Sequence, residues 1–427
     1  MAMNWQTVPL RKLITPNNKR NRPDLPLLSV VRDKGVVKRK LDKSDNHNII
    51  PEDLSNYKVV SEGQFVINKM KAWQGSCGVS QYEGIVSPAY YVFDLNIENP
   101  RFFNYSIRSR AFIEEFNRIS KGIRVDQWDL ELQQLKYIHF PLPPREEQDQ
   151  IVRYLDWKVS RINKLVNAKR RQIELLKEQR RKTIDEAIGS AEEKTCRFRR
   201  LFSLSKGLSI TKADLKEEGI PCVSYGEVHS KFGFEVNPDI NTLKCVDNSF
   251  LASSPESLLH YGDFVFADTS EDLAGSGNFT YLNSHIQTFA GYHTIIARAR
   301  SPINYRYFAY YFDSSHFRSQ IQQEVNGVKV YSITRSILNR THIHLLDEAE
   351  QENIVAILDK QCSIIDSSII ILRKEIDLFA EYRARLISDV VTGKIDVRGV
   401  TAPEYEVTED VARGEDESEN ELIESEE

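Results

Sequence analysis

The sequence lacks the pieces from which most enzymes and membrane proteins are built. No stretch of its 427 residues approaches the roughly 18 uninterrupted apolar residues of a membrane span. The start, MAMNWQTVPLRKL, has no apolar core of the signal-peptide kind, which points to the cytoplasm and away from any membrane. Its five cysteines (Cys77, Cys196, Cys222, Cys245 and Cys362) never form a CxxC pair, so they read as reduced thiols and not as a disulfide framework or zinc site. There is no GxxxxGK[ST] loop to cradle ATP phosphates, and no NPPY-type or Gly-rich loop for a methyl donor. A GxSxG elbow and an HExxH helix are missing too. The nearest Gly-rich run, Gly275-Ser276-Gly277, lies among strand-like segments and reads as a turn. His342 and His344 have strand spacing that puts both rings on one face, but no third ligand accompanies them. The expectation is a chain with no catalytic residues, no metal and no cofactor of its own.

What remains is the profile of a folded, water-facing protein: 41% hydrophobic and 28% charged residues. The formal charge of −5 conceals two regions. From Thr401 onward the tail holds 12 acids and one base, which leaves 56 bases against 50 acids in the first 400 residues. A like-charged run with almost no aromatics buries too little surface to fold, so the tail is expected to be disordered and dispensable for binding. The rest is mildly basic, as a nucleic-acid partner requires.

The organising feature is an internal duplication. EEQDQIVRYLDWKVSRINKL, from Glu146, matches EQENIVAILDKQCSIID, from Glu350, at an offset of 203 without a gap. The identities include Gln148/Gln351, Leu155/Leu358, Asp156/Asp359, Ile162/Ile365, Arg170/Arg373 and Arg180/Arg383. Upstream the offset becomes 205, with Arg101/Arg306, Phe103/Phe308, Tyr105/Tyr310 and Phe112/Phe317. Further back, EGQFV at Glu62 matches YGDFV at Tyr261, at 199. A period near half the chain excludes a solenoid and implies two copies of one domain plus one helix.

Both helical segments carry heptads. In the first, Val152, Val159, Val166 and Ile173 fill one seam position, and Leu155, Ile162 and Leu176 the other. In the second, Val355, Cys362, Ile369 and Ile376 alternate with Leu358, Ile365, Leu372 and Phe379. Apolar a and d positions over four heptads predict a coiled coil; two unrelated amphipathic helices on separate cores are the blander reading. Lys169 interrupts the first seam where the repeat has Leu372. PLPPREEQ, from Pro141, has helix-start chemistry, because prolines leave no N–H unpaired and Glu146 and Glu147 suit the dipole. Ahead of each helix lie β-like runs (GQFVINKM and PAYYVFDL; GDFVFADT and YHTIIARA), then an aromatic-rich helical stretch, so each copy should be an α+β domain.

Both helix motifs, their duplication, the C-terminal LISDVVTGKIDVR, and the phrases LLSVVRDKGVV, MKAWQG, IVSPAYYV and GIPCVSYGEVH resemble the specificity subunits of type I restriction-modification systems. The likeness covers residues 1 to about 398. One departure is that the second helix opens with IHLLDEAEQ where the family keeps prolines. The resemblance implies an α+β fold of two homologous target-recognition domains separated by two long antiparallel coiled-coil helices, with a pseudo-two-fold internal repeat. The expected divisions are residues 1–145 and 195–347 for the recognition domains, 146–190 and 348–398 for the spacer helices, and 399–427 for the acidic tail. It further implies that each recognition domain reads one half of a split site in double-stranded DNA. The helices would set the spacing and dock two DNA-methylation subunits. S-adenosylmethionine, ATP and Mg would be bound by those and by restriction/translocase subunits. A stand-alone DNA-binding regulator of the same fold is the alternative.

Base reading needs directional donors and acceptors on surface loops, whereas phosphate contacts need only positive charge. In the first domain Arg32, Lys69, Lys71, Trp73, Tyr90 and Arg124 meet that requirement; in the second, Ser224, Tyr225, Asp268, Thr269, Tyr292 and Lys329. Each also fits an ordinary loop or core residue. NKMKAWQ is cationic where its counterpart ADTSEDLAG is acidic, so the two halves of the target should differ. The basic stretch from Lys158 to Arg200, with 14 bases and six acids, reads either as a solvated helix face or as a phosphate contact.

Overall fold

Two helices of 44 residues, Arg145–Ile188 and Glu348–Val391, are the longest elements described in this computed structural model. It describes residues 5–32, 34–39, 53–124, 127–189, 195–327 and 330–410. The chain divides into two units: Met1–Gln172 with Leu372–Glu427, and Ile173–Ile371.

In the first unit the sheet is β1 (Ile14–Asn17), β2 (Phe65–Asn68), β3 (Cys77–Val79) and β4 (Tyr90–Leu95), in the order β1-β4-β2-β3 and antiparallel throughout. Helices α1 (Pro100–Ile107) and α2 (Arg110–Arg118) follow, then the hairpin β5 (Ser120–Arg124) and β6 (Gln127–Leu130). Asn99 caps α1 by accepting from the N–H groups of Arg101 and Phe102, and Pro100 takes the first helical place.

The second unit repeats this plan. Its sheet comprises β7 (Phe202–Lys206), β8 (Phe234–Val236), β9 (Phe264–Ala267), β11 (Phe279–Leu282) and β12 (Thr294–Ala299), in the order β7-β12-β9-β11-β8. The first four strands in that order match the first unit's sheet, and β8 is an addition, parallel to β11. The short β10 (Thr269–Ser270) pairs with β13 (Tyr331–Ser332). Helices α3 (Tyr305–Asp313) and α4 (Ser315–Gln322) come next, α3 capped by Asn304 as α1 is by Asn99.

Each domain grips its long helix in the same way. In the first unit Arg101 and Tyr105 hydrogen-bond Asp156 at 2.8 and 2.9 Å; in the second, Arg306 and Tyr310 bond Asp359 at 2.8 and 2.6 Å. The duplicated positions are thus duplicated contacts.

The helices pair antiparallel. Within the first unit Asn163 meets Arg383 and Lys169 meets Glu375; within the second Arg180 meets Asp366. Of the seam positions, Val152, Leu155, Ile162, Val166, Ile173, Leu358, Cys362, Ile365 and Ile369 are buried; Val159, Leu176, Val355, Leu372, Ile376 and Phe379 are half-buried. The interrupting Lys169 stays in the seam by an ion pair with Glu375 at 2.7 Å and by lying over the Phe379 ring.

Both helix starts use the same glutamine. Gln148 donates to the carbonyl of Pro143, and Gln351 to that of Leu346. Lacking prolines, the second start substitutes a reciprocal cap in which Asp347 and Glu350 bond each other's backbone N–H.

Two expectations need correction. The second helix ends at Val391 and not at 398, where Gly393 takes a left-handed φ of 73° and Lys394 and Ile395 bond back to Asp389. The tail is not wholly disordered either: residues 401–410 lie against the long helices of the first unit, held by polar side chains in place of apolar burial. The remainder, 411–427, falls outside the described residues, so that part of the expectation has no structural counterpart. All five cysteines are free and buried. Among the described residues no helix is long and apolar enough to cross a membrane, and no three His, Cys, Asp or Glu side chains converge as a metal site.

Candidate nucleic-acid interface

The turn after β2 sits at a crossing of three segments. Lys69 donates its N–H to the carbonyl of Ala89 at 3.1 Å, just before β4, and accepts from the N–H of Leu130 at 3.0 Å, at the end of β6. Its ammonium pairs with Asp129 at 2.6 Å, and the hydrogen bond it donates to that carboxylate raises the Lys69 pKa. Trp73 lies in the same turn with its ring 5.0 Å from that of Trp128 on β6, and its buried Nε1 has no hydrogen-bond partner among the described residues. Gly75, at φ 92°, closes the turn in a conformation that a side chain would strain. Lys71 is half-buried in it, its N–H bonded to Asn68.

Tyr90 is paired with Asn68 in the sheet register, and its carbonyl takes a bond from Lys58. Burial lowers the Lys58 pKa, assisted by the charge of Arg20. Arg124 ends β5 opposite Gln127. The structure therefore brings Lys69, Lys71, Trp73 and Tyr90 together and sets the backbone of Arg124 on the hairpin that touches them. Arg32 is exposed at a separate hairpin, where its carbonyl accepts from Arg108 at 3.3 Å.

The second domain builds the same crossing from different chemistry. Asp268 donates its N–H to His293 O at 3.1 Å and accepts from Ile333 N–H at 2.7 Å, as Lys69 does with Ala89 and Leu130. Its carboxylate meets Nδ1 of His293 at 3.2 Å, and His293 itself holds a left-handed φ of 55°. Thr269 pairs with Ser332 across β10 and β13. Tyr225 donates its N–H to Tyr292 O at 3.2 Å, and its ring stacks on His229 at 5.2 Å. Burial, with Glu271 and Asp272 nearby, pushes the Tyr225 phenol up to about 12.

Ser224 is a correction. Although it adjoins this group it is fully buried, its N–H tied to Glu227 at 3.2 Å, so its side chain is not a base reader. Lys329 lies outside the described residues. Trp128, Asp129, His229 and His293 join the two clusters without having been legible as members. Only pattern position could have flagged them: Trp128 and Asp129 follow GIRV in the first copy, and His293 follows Tyr292. Gly275-Ser276-Gly277 does form a turn, with Gly277 at φ 97°. His344 packs against His316 at 4.3 Å, and burial lowers the pKa of both rings.

Residues 3–175 match the model of the family described as the type I restriction modification DNA specificity domain. Over this stretch, less than half of its length, the chain is similar to that family. Among solved structures, a chain described under complex assembly and conformational transition of the type I R-M system matches with a TM-score of 0.63 at 15% identity, covering 92% of this chain and 100% of that one. The likeness establishes the fold. The HsdS subunit of Thermoanaerobacter tengcongensis (16% identity, 91% and 95% covered, TM-score 0.42) and the S subunit from M. genitalium (12%, 91% and 96%, 0.39) superpose more loosely. No curated protein sequence matches the chain.

Proposed function

We propose that each domain reads one half of an asymmetric, two-part DNA target, and that the chain directs methylation or cleavage carried out by other subunits. The observation that supports this most is the matched pair Lys69 and Asp268. Two identical backbone scaffolds present a cation in one domain and a carboxylate in the other. A lysine donates to the O6 and N7 acceptors of guanine, whereas an aspartate accepts from the N4 amine of cytosine. One scaffold with opposite hydrogen-bonding sense is what two unlike half-sites require. Arg32, Lys71, Trp73, Tyr90 and Arg124 would complete the first reading surface, and Tyr225, Thr269, Tyr292 and Lys329 the second.

The long helices supply the docking surface for partners. In the second unit Ile357, Ile364 and Ile371 are exposed at seven-residue spacing, and in the first Leu378 and Tyr382 are exposed one turn apart. Apolar patches left open on both units suit two copies of a methylation subunit, and they favour an assembled complex over a stand-alone regulator. S-adenosylmethionine, ATP and Mg belong in this reading to those subunits and to the restriction/translocase subunits. The chain itself is non-catalytic, and alone it should neither methylate nor cut.

The test is half-site resolved. In the assembled complex, Lys69→Ala and Trp73→Ala should each weaken binding by about 1–3 kcal/mol and relax base preference in one half of the target only. Binding measured on a panel of single-base variants should leave the penalties in the other half unchanged. Equal relaxation in both halves would contradict the assignment of one domain to one half.

A further inference from the structure

The repeat makes an unequal pair at the helix interface. In the second unit the half-buried Arg180 guanidinium has two carboxylates, Asp366 on the partner helix and Asp313 at the end of α3. The offset of 203 carries Arg180 to Arg383 and Asp366 back to Asn163; the offset of 205 carries Asp313 back to Arg108. The first unit thus keeps the arginine and lacks both acids. Arg383 is only 6% exposed, and it donates to the neutral Oδ1 of Asn163 at 2.6 Å. An arginine buried this far without a counter-charge is costly.

The tail supplies what the repeat omits. Asp410 meets Arg383 at 3.0 Å and also pairs with Arg170, its own side chain only 6% exposed. The preceding residues are held by their backbone. Ser160 donates to Glu406 O at 2.8 Å and accepts from Thr408 N–H at 2.7 Å. Asn163 donates to Thr408 O at 2.9 Å, and Asn167 to Glu409 O at 2.8 Å. Ser160, Asn163, Asn167 and Arg170 recur every three or four residues, so they line one helix face. Val407 points out, 75% exposed. This stripe reads main-chain groups along an extended segment and ends in a pocket for one carboxylate.

We propose that the stripe is a binding site for an extended acidic peptide, filled by the chain's own residues 404–410, and that Asp410 takes the place of the carboxylates that Asp366 and Asp313 give to Arg180. The segment is then a strap that neutralises Arg383 and ties the second long helix to the first. This stands independently of how the domains read DNA. It also replaces the expectation that the whole tail is dispensable.

The test uses the full chain. Asp410→Asn should free the strap and raise amide exchange at Thr408 by about tenfold, the loss of one charge-assisted hydrogen bond. It should also lower the thermal midpoint. Adding Asn163→Asp gives Arg383 the acid that Arg180 already has, so it should recover the midpoint without restoring protection at Thr408. A synthetic peptide of residues 401–410 should bind the Asp410→Lys chain, whose own strap is repelled by Arg170 and Arg383, and should not bind the parent chain. Unchanged Thr408 exchange in Asp410→Asn, or no recovery with Asn163→Asp, would overturn the substitution of Asp410 for the missing acids. Failure of the peptide to bind the folded Asp410→Lys chain would overturn the site.

Discussion

Phe312→Ala should cost the second unit about 3–5 kcal/mol, enough to remove most of the stability of a domain this size. Phe312 ends α3 fully buried, with the rings of Phe198, Phe202, Phe264, Phe266, Phe279 and Phe317 between 4.6 and 5.9 Å away. Those rings come from the sheet, from α4 and from the segment leading into β7, so one side chain joins three parts of the fold. Truncating it leaves a cavity walled by rigid rings that collapse poorly. Urea unfolding should show the loss, and hydrogen exchange should place it within residues 195–327 while the sheet of the first unit keeps its protection. A loss below about 1 kcal/mol would mean that the aromatic cluster is not the core of that unit.

Lengthening both long helices by one heptad should change the DNA target in one respect only, its unspecified middle. Insertions after Arg170 and after Arg373 occupy equivalent places in the repeat and keep each seam in phase. Each adds about 10 Å, close to three base-pair steps. The half-sites should survive unaltered, because the loops at Lys69 and Asp268 are anchored to β-strands and not to the helices. Three base pairs also turn the duplex by roughly 100°, so abolished binding is the second outcome consistent with a rigid ruler. Methylation mapping of a host carrying the variant distinguishes them. Altered half-site bases with an unchanged spacer would show that the helices do not set the distance.

The duplication and the helix seams were legible because both are periodic, and apolar periodicity survives without knowledge of the fold. The identities Arg101/Arg306, Tyr105/Tyr310 and Asp156/Asp359 went further, since residues matched in sequence proved to be matched in contact. The clusters around Lys69 and Asp268 were half legible. Their loops announced themselves, but Trp128, Asp129, His229 and His293 arrive from distant segments that only the tertiary structure brings near. Ser224 was misread because burial is decided by what packs over a residue, and its place between a strand and a turn resembled a surface loop. The tail was misread for a different reason. Composition asks whether a segment can bury apolar surface, and residues 404–410 are instead ordered by donors on another element, Ser160, Asn163, Asn167 and Arg170.

The most direct measurement is single-molecule methylome sequencing of a host that expresses the methylation subunit with and without this chain. Methylation should appear only with the chain present, at one asymmetric motif of two unlike half-sites separated by bases of any identity. Lys69→Ala should loosen one half of that motif alone. A palindromic motif, or methylation by this polypeptide with no other subunit, would contradict the claim that it is a non-catalytic reader with two different domains.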